Sequence, residues 1–352
     1  MNQSQVACFL VASGTAAPSA DNTQPWRFEL DGSALSLRFD SARMHNTSFP
    51  FDHPATMITM GAVIENLDQA AALLQLPCEL KPIIPTSPPY EFLKLTLSDS
   101  NLPHAPENAP LFARHTNRLT YRTNPIGSEL RATLCSESEE DARILFIESK
   151  TDMQKIASMV RLASQIRFQT REIHEWFSSS LRFTRSEVAR GDGLDVATFD
   201  LPPGGHIFMR WLMSDWRNMA LLNRIGGYRM MAGIEAASIT KAGAIIAILG
   251  SETLSGALHA GRLMERIWIK LNQSGLAVQP YYVVSDQLTR LTKGQVPHKL
   301  CHHVERLQDE VSSTLSLPGN ARLHMLLRVG LPLHAPSRSL RLPLEFHLPH
   351  SL

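Results

Sequence analysis

Cysteine is scarce in these 352 residues: Cys8, Cys78, Cys135 and Cys301 are scattered, without a CxxC pair. That spacing excludes a disulfide framework and a zinc ribbon, and it points to a reducing, cytoplasmic compartment. Charge of one sign is equally lacking. With 34 Lys and Arg against 33 Asp and Glu, the formal charge is +1, so no long-range field draws the chain to nucleic acid or to a membrane. The longest apolar runs, such as Ala242 to Leu249, fall far short of the ~20 residues of a spanning helix. Val6 to Ala17 looks like a signal-peptide core, yet no Lys or Arg precedes it and the first basic side chain is Arg27; a mature N-terminal helix is expected there. The chain has no GxxxxGK[ST], no GxGxxG after a strand, no GxSxG and no HExxH, which leaves dinucleotide-fingerprint, P-loop, acyl-enzyme and zinc-protease readings without direct support. Cys301, His302 and His303 are adjacent and point in different directions on a helix, so no metal site is expected.

What is present is 43% apolar and 19% charged side chains, enough for two ordinary domains or one large duplicated one. Strand-like runs at Leu35–Phe39, Phe92–Leu97, Ile144–Ile147, Ala244–Leu249 and Leu323–Val329 alternate with helical stretches, which predicts a mixed α+β fold. Met57, Met60, Ile64, Leu67, Ala71 and Leu74 recur at helical spacing between Pro54 and Pro77, predicting a helix from about 55 to 76. A second helix is predicted over 152–177, with a solvated polar side, and the segments 207–225 and 258–271, apolar on nearly all sides, are expected to be buried. Residues 99–110, with three prolines and no periodicity, read as a connector that divides an N-terminal half, 1–100, from a C-terminal half, 101–352. The Gly- and Pro-rich stretch 191–205 reads as a lid or inter-half loop, and the acidic stretch 137–141 as a solvated turn.

The informative segment is Ala17 to Phe28, APSADNTQPWRF. Ser19 and Asn22 offer short polar groups, Gln24 a longer amide, and Pro25 with Trp26 a rigid exit into the next strand. Those groups suit a planar heteroaromatic ligand, but on composition alone an Asx-type turn anchored by Trp26 is the simpler reading. A second polar segment, Arg114-His115-Thr116-Asn117-Arg118, sets a hydroxyl between two arginines that can converge on one phosphate.

Pro18, Ser19, Asn22, Gln24, Pro25 and Trp26 form PSxxNxQPW, which resembles the flavin loop of the nitroreductase family. Arg114, Thr116 and Arg118 resemble its RxSxR phosphate motif, with Thr for Ser, followed by Pro125-Ile126. Ala260-Gly261-Arg262 resembles the family's central helix, and Gly275-Leu276 the turn at its end; Leu327 to Pro332 resembles the last core strand, and Arg341 to Leu344 the basic tail that returns to the phosphate, with Arg338 a further candidate clamp. The order of the two motifs departs from that of an ordinary nitroreductase and is most similar to the Acg-like subgroup, in which two nitroreductase-type halves share one chain; Gly191 to Leu194 resembles a loop of that subgroup. The resemblance implies an internally duplicated pseudo-dimer, with central sheets flanked by helices, that is monomeric with an internal pseudo-two-fold. It implies one composite FMN site per chain in a largely preformed apolar pocket, with Ser19, Asn22 and Gln24 from the first half and Arg114, Thr116 and Arg118 from the second. It further implies two-electron transfer from NADH or NADPH through FMN to a small acceptor such as a nitroaromatic or quinone, with no acid or base side chain required. Storage of FMN without turnover, or a flavin-free interaction partner that keeps the fold, are the alternatives.

Overall fold

Side-chain caps start the first two long helices. Asn2 makes a capping box with Gln5 and opens Gln3–Thr15. Ahead of Pro54–Leu73, the proline takes the first turn and His53 Nδ1 accepts from the Ala55 amide at 3.1 Å, so few orphan N–H groups remain. The computed structural model describes residues 1–43 and 49–348, and among these no helix is long and apolar enough to cross a membrane.

The fold is mixed α+β. Trp26–Asp31, Ala34–Phe39 and Glu91–Thr96 form a small antiparallel sheet in that order. A larger sheet, also antiparallel, runs Ala277–Tyr281, Ala321–Pro332, Ala244–Ser251, Ala142–Ile147 and Ser138–Glu139, with Tyr121–Arg122 paired to the far end of Ala321–Pro332. The period of two along the central strand sorts its side chains into two cores. Ala244, Ile246 and Ile248 join the helices Gln3–Thr15, Pro54–Leu73 and Leu254–Gln273 and the small sheet. Ile245, Ala247 and Leu249 join the helices Lys150–Phe168, Gly227–Thr240 and Cys301–Leu315. The connector around residue 100 is irregular, and the first core is built from both sides of it.

The helices Pro54–Leu73 and Leu254–Gln273 cross at two glycines. A Cβ on Gly61 would lie 2.1 Å from the Leu258 carbonyl oxygen, and one on Gly261 would lie 2.1 Å from that of Ile58. The contact is reciprocal: Ile58, Gly61 and Glu65 on one helix stand where Leu258, Gly261 and Glu265 stand on the other, at one constant offset in sequence.

Three expectations need correction. The predicted helix 152–177 is two helices, Lys150–Phe168 and Arg171–Ser180, broken at Gln169-Thr170, and part of its polar side is paired rather than solvated, with Arg167 on Glu235 at 2.7 Å. The segment 207–225 is split by Asp215, whose carboxylate caps Trp216–Arg224, and it is not buried throughout: Ile207 is 79% exposed and Ile225 82%. Leu212, Met213 and Met219 are buried in a small third core, with Met209, Trp216 and Leu222 packed partly against it. The acidic stretch 137–141 is not a free solvated turn; Glu137 and Glu139 bind Lys270, Arg262 and Arg266, and Asp141 accepts from the Ser251 amide at 2.8 Å.

Candidate functional site

Residues 17–25 leave the first helix through an unusual turn. Asp21, Asn22 and Gln24 all have positive φ, at 46°, 58° and 52°, a region that L side chains enter at a cost and hold only where surrounding bonds fix them. The bonds are present. Ser19 Oγ accepts from the Gln24 amide at 3.0 Å. Asn22 Nδ2 donates to the carbonyls of Gly193 and Leu340, each at 2.9 Å, and Asn22 Oδ1 accepts from Arg341 Nη1 at 2.9 Å. Gln24 Nε2 donates to the Gly191 carbonyl at 2.9 Å, while its Oε1 accepts from the Leu342 amide at 3.1 Å. The loop is thus tied to two distant segments, 191–193 and 340–342. Pro18 is half-buried at its start. Trp26 is a fully buried anchor at the head of the strand, with its ring centroid 6.0 Å from that of His347.

The phosphate-type arginines meet the same loop from behind. Arg114 Nη2 donates to the Ala16 carbonyl at 2.8 Å, and Arg341 Nη2 reaches the same oxygen at 3.5 Å. Arg114 Nε lies 2.9 Å from Glu265 Oε1, and its guanidinium sits 4.7 Å from the centre of the Trp268 ring. Two guanidiniums therefore face one carboxylate in a buried setting. Burial together with repulsion from Arg114 lowers Arg341 to about 9, while burial raises Glu265 to about 7 against the pull of Arg114 and Arg341.

Arg118 lies apart from this pair, under the loop 194–200. It donates to Thr198 Oγ1 at 3.3 Å and stands 5.1 Å from the centre of the Phe199 ring. Asp21 is half-buried; burial raises its carboxyl to about 6 in spite of Arg118 and Arg167. Thr116 is half-buried between the two arginines. Gly275 and Leu276 stand in the turn behind the 114–118 segment, where Asn272 accepts from the His115 amide at 2.8 Å and donates to the Leu276 carbonyl at 2.8 Å. Arg338 caps the short helix Pro110–Ala113, donating to the Ala113 carbonyl at 3.2 Å.

The structure thus gathers Ser19, Asn22, Gln24, Arg114 and Arg341 at one junction, but it does not bring Arg118 to Arg114 as expected: Arg118 stands apart, on Thr198 and Phe199. It does not present the expected apolar pocket there: the amides of Asn22 and Gln24 are engaged by backbone groups of 191–193 and 340–342. Clefts of about 280 Å³ lie elsewhere, one beside His174 and Trp216 and one beside Ala157 and Gly233. Sequence reasoning missed Asp21 and Glu265. The repeated pattern Gly61-x-x-x-Glu65 and Gly261-x-x-x-Glu265 was the available signal for the latter.

No family model matches the chain. A stretch of 279 residues is 27% identical to the Uncharacterized protein MT1398 of Mycobacterium tuberculosis, covering 75% of this chain and 37% of that protein; the chain thus matches little more than a third of that relative's length. Among solved structures, NfrA2 of B. megaterium shares 12% identity over 67% of this chain and 70% of its own, with a TM-score of 0.36. A putative NADH dehydrogenase/NAD(P)H nitroreductase of Parabacteroides distasonis shares 11% over 68% of this chain and 96% of its own, also with a TM-score of 0.36. These likenesses are remote.

Proposed function

We propose that the chain is an FMN-dependent oxidoreductase of the nitroreductase type, taking electrons from NADH or NADPH and passing them pairwise to a small acceptor such as a nitroaromatic or quinone. One observation carries this reading: Arg114 and Arg341, from separate stretches of the chain, share the Ala16 carbonyl just ahead of the strained loop 19–24, and Arg341 also holds Asn22 within it. The residues fit a phosphate. Two enclosed guanidiniums face a single carboxylate, and a phosphate monoester supplies the missing negative charge through charge-assisted hydrogen bonds. For the isoalloxazine, Asn22 and Gln24 offer amide donors and acceptors of the right kind once they exchange their present backbone partners.

When bound, the flavin supplies the hydride chemistry. The chain's own work is then to hold and to exclude. Arg114 and Arg341 anchor the phosphate end, Asn22 and Gln24 fix the ring edge, and residues 191–200 keep water from it. We also read the chain as an Acg-like internal duplication that is monomeric, cytoplasmic and holds one FMN. The reciprocal Gly61 and Gly261 contact supports this. So does the environment of Glu65, where Arg262 and Arg266 are matched by Glu65, Asp68 and Glu139, leaving no surplus cation for a second phosphate. Four free cysteines accord with a reducing compartment.

The test is a visible spectrum of the purified chain, with released chromophore identified and counted. One FMN per chain is the expected result; none after FMN is added overturns the reading. The cover over Asn22 and Gln24 favours a second reading, storage of FMN without turnover. Anaerobic bleaching by NADH or NADPH, followed by steady consumption of the reduced nicotinamide with an acceptor, decides between the two.

A further inference from the structure

Glu265 is wholly buried on the central helix Leu254–Gln273, and neither carboxylate oxygen has a well-aligned hydrogen bond. A buried ionised carboxylate in that state is costly. The groups facing it are Arg114 from the 114–118 segment, Arg341 from the C-terminal stretch, and Asn66 and Glu65 from the crossing helix. Its one close ion partner is Arg114 Nε at 2.9 Å. With Nη2 given to Ala16, the Nη1 edge of Arg114 has no hydrogen-bond partner among the described residues, on a guanidinium whose roll is set by Glu265 and by the Trp268 ring.

We propose that Glu265 is a positioning residue for the flavin phosphate: it aims Arg114 while it is ionised, and it takes up a proton when the phosphate arrives. The inference rests on the FMN reading above. Its reasoning is electrostatic. Arg114 and Arg341 can neutralise two negative charges, and Glu265 with a phosphate dianion brings three into one enclosed space. A phosphate at the junction would meet both guanidiniums, whereas Glu265 has a close ion pair with Arg114 only among the described residues, so the carboxylate is the group that becomes neutral. Burial already holds Glu265 at about 7, which places the exchange in the neutral range.

The test titrates the full chain with FMN and with riboflavin between pH 7 and pH 8, where a phosphate monoester is already the dianion (its second pKa is about 6). Proton uptake is measured by calorimetry in buffers of different ionisation enthalpy. The expected result is an FMN dissociation constant that rises toward tenfold per pH unit, with close to one proton taken up at pH 8. Riboflavin, which lacks the phosphate, should show neither effect. Glu265→Gln, which keeps the shape and the acceptor, should bind FMN with a flat profile and no uptake. FMN binding that is flat with pH in the wild-type chain, or a slope that survives in E265Q, overturns the role of Glu265 and leaves the FMN reading standing. Failure of both flavins to bind at any pH removes both. The wild-type proton count needs no variant, so a poorly folding E265Q would not blunt the test.

Discussion

Asn22 holds three partners at once, two carbonyls through Nδ2 and Arg341 through Oδ1. Asn22→Ala therefore strips the junction of its central tie, whereas Arg114→Ala removes charge from the phosphate end. Both variants are expected to weaken FMN binding, Arg114→Ala by roughly ten- to a hundredfold, the worth of a hydrogen bond to a charged group. Riboflavin affinity should fall far less in Arg114→Ala. Fluorescence titration checks this, and full FMN affinity in either variant would break the shared site. At this scale much was legible beforehand. Asn22 and Gln24 stood out as polar groups clustered beside turn residues and Arg114 as one of two alternate arginines, whereas Arg341 stood out only through the resemblance to the nitroreductase family's basic tail. Asp21 and Glu265 did not, because a carboxylate on a turn or a helix reads as solvated until the fold shows what encloses it.

The crossing of Pro54–Leu73 with Leu254–Gln273 depends on two missing side chains. Gly261→Ala adds roughly 1 kcal/mol of helix propensity, but its Cβ would meet the Ile58 backbone, where no rotamer change gives relief. Overpacking of that kind costs about 1–3 kcal/mol, and at a backbone contact the upper end applies. Net destabilisation of Gly261→Ala is the expected outcome in urea unfolding, and Gly61→Ala should behave alike. Strands were the easier elements to read: Leu35–Phe39 and Ala244–Leu249 fall within the observed Ala34–Phe39 and Ala244–Ser251, since short apolar or alternating runs leave few other choices. Helix breaks were harder. Thr170 and Asp215 interrupt apolar patterns that continue across them, and periodicity alone does not register a cap. Whether an apolar helix is buried, as Leu254–Gln273 is and Gly205–Ser214 is not, depends on neighbours that a local pattern does not contain.

Across the whole molecule, acid should destabilise less than the buried histidines suggest. Burial lowers His53 to about 3, and His324 and His347 to about 4. These three stay neutral in the fold while the unfolded chain protonates them, so their effect is absent above pH 6.5 and costs stability as pH falls below it. Asp21 at about 6 and Glu265 at about 7 act oppositely. They are protonated in the fold where the unfolded chain is ionised, so between their raised values and about pH 4 they regain stability as pH falls. Near pH 5 the balance of these five groups is an uptake of about one proton on unfolding, hence about 1.4 kcal/mol lost per pH unit rather than the ~4 of three histidines alone. Urea unfolding between pH 6.5 and 4.5 measures the slope, and Glu265→Gln should steepen it.

The bond from Asn22 to Leu340 spans 318 residues, so the segment that closes the junction is made long after the loop it holds. Chains are made from the N-terminal end and fold as they emerge. The loop 19–24 therefore leaves the ribosome long before the residues that hold its left-handed turns, and its final geometry waits for them. A nascent chain stalled ahead of residue 340 would lack the partners from 340–342 that set this loop.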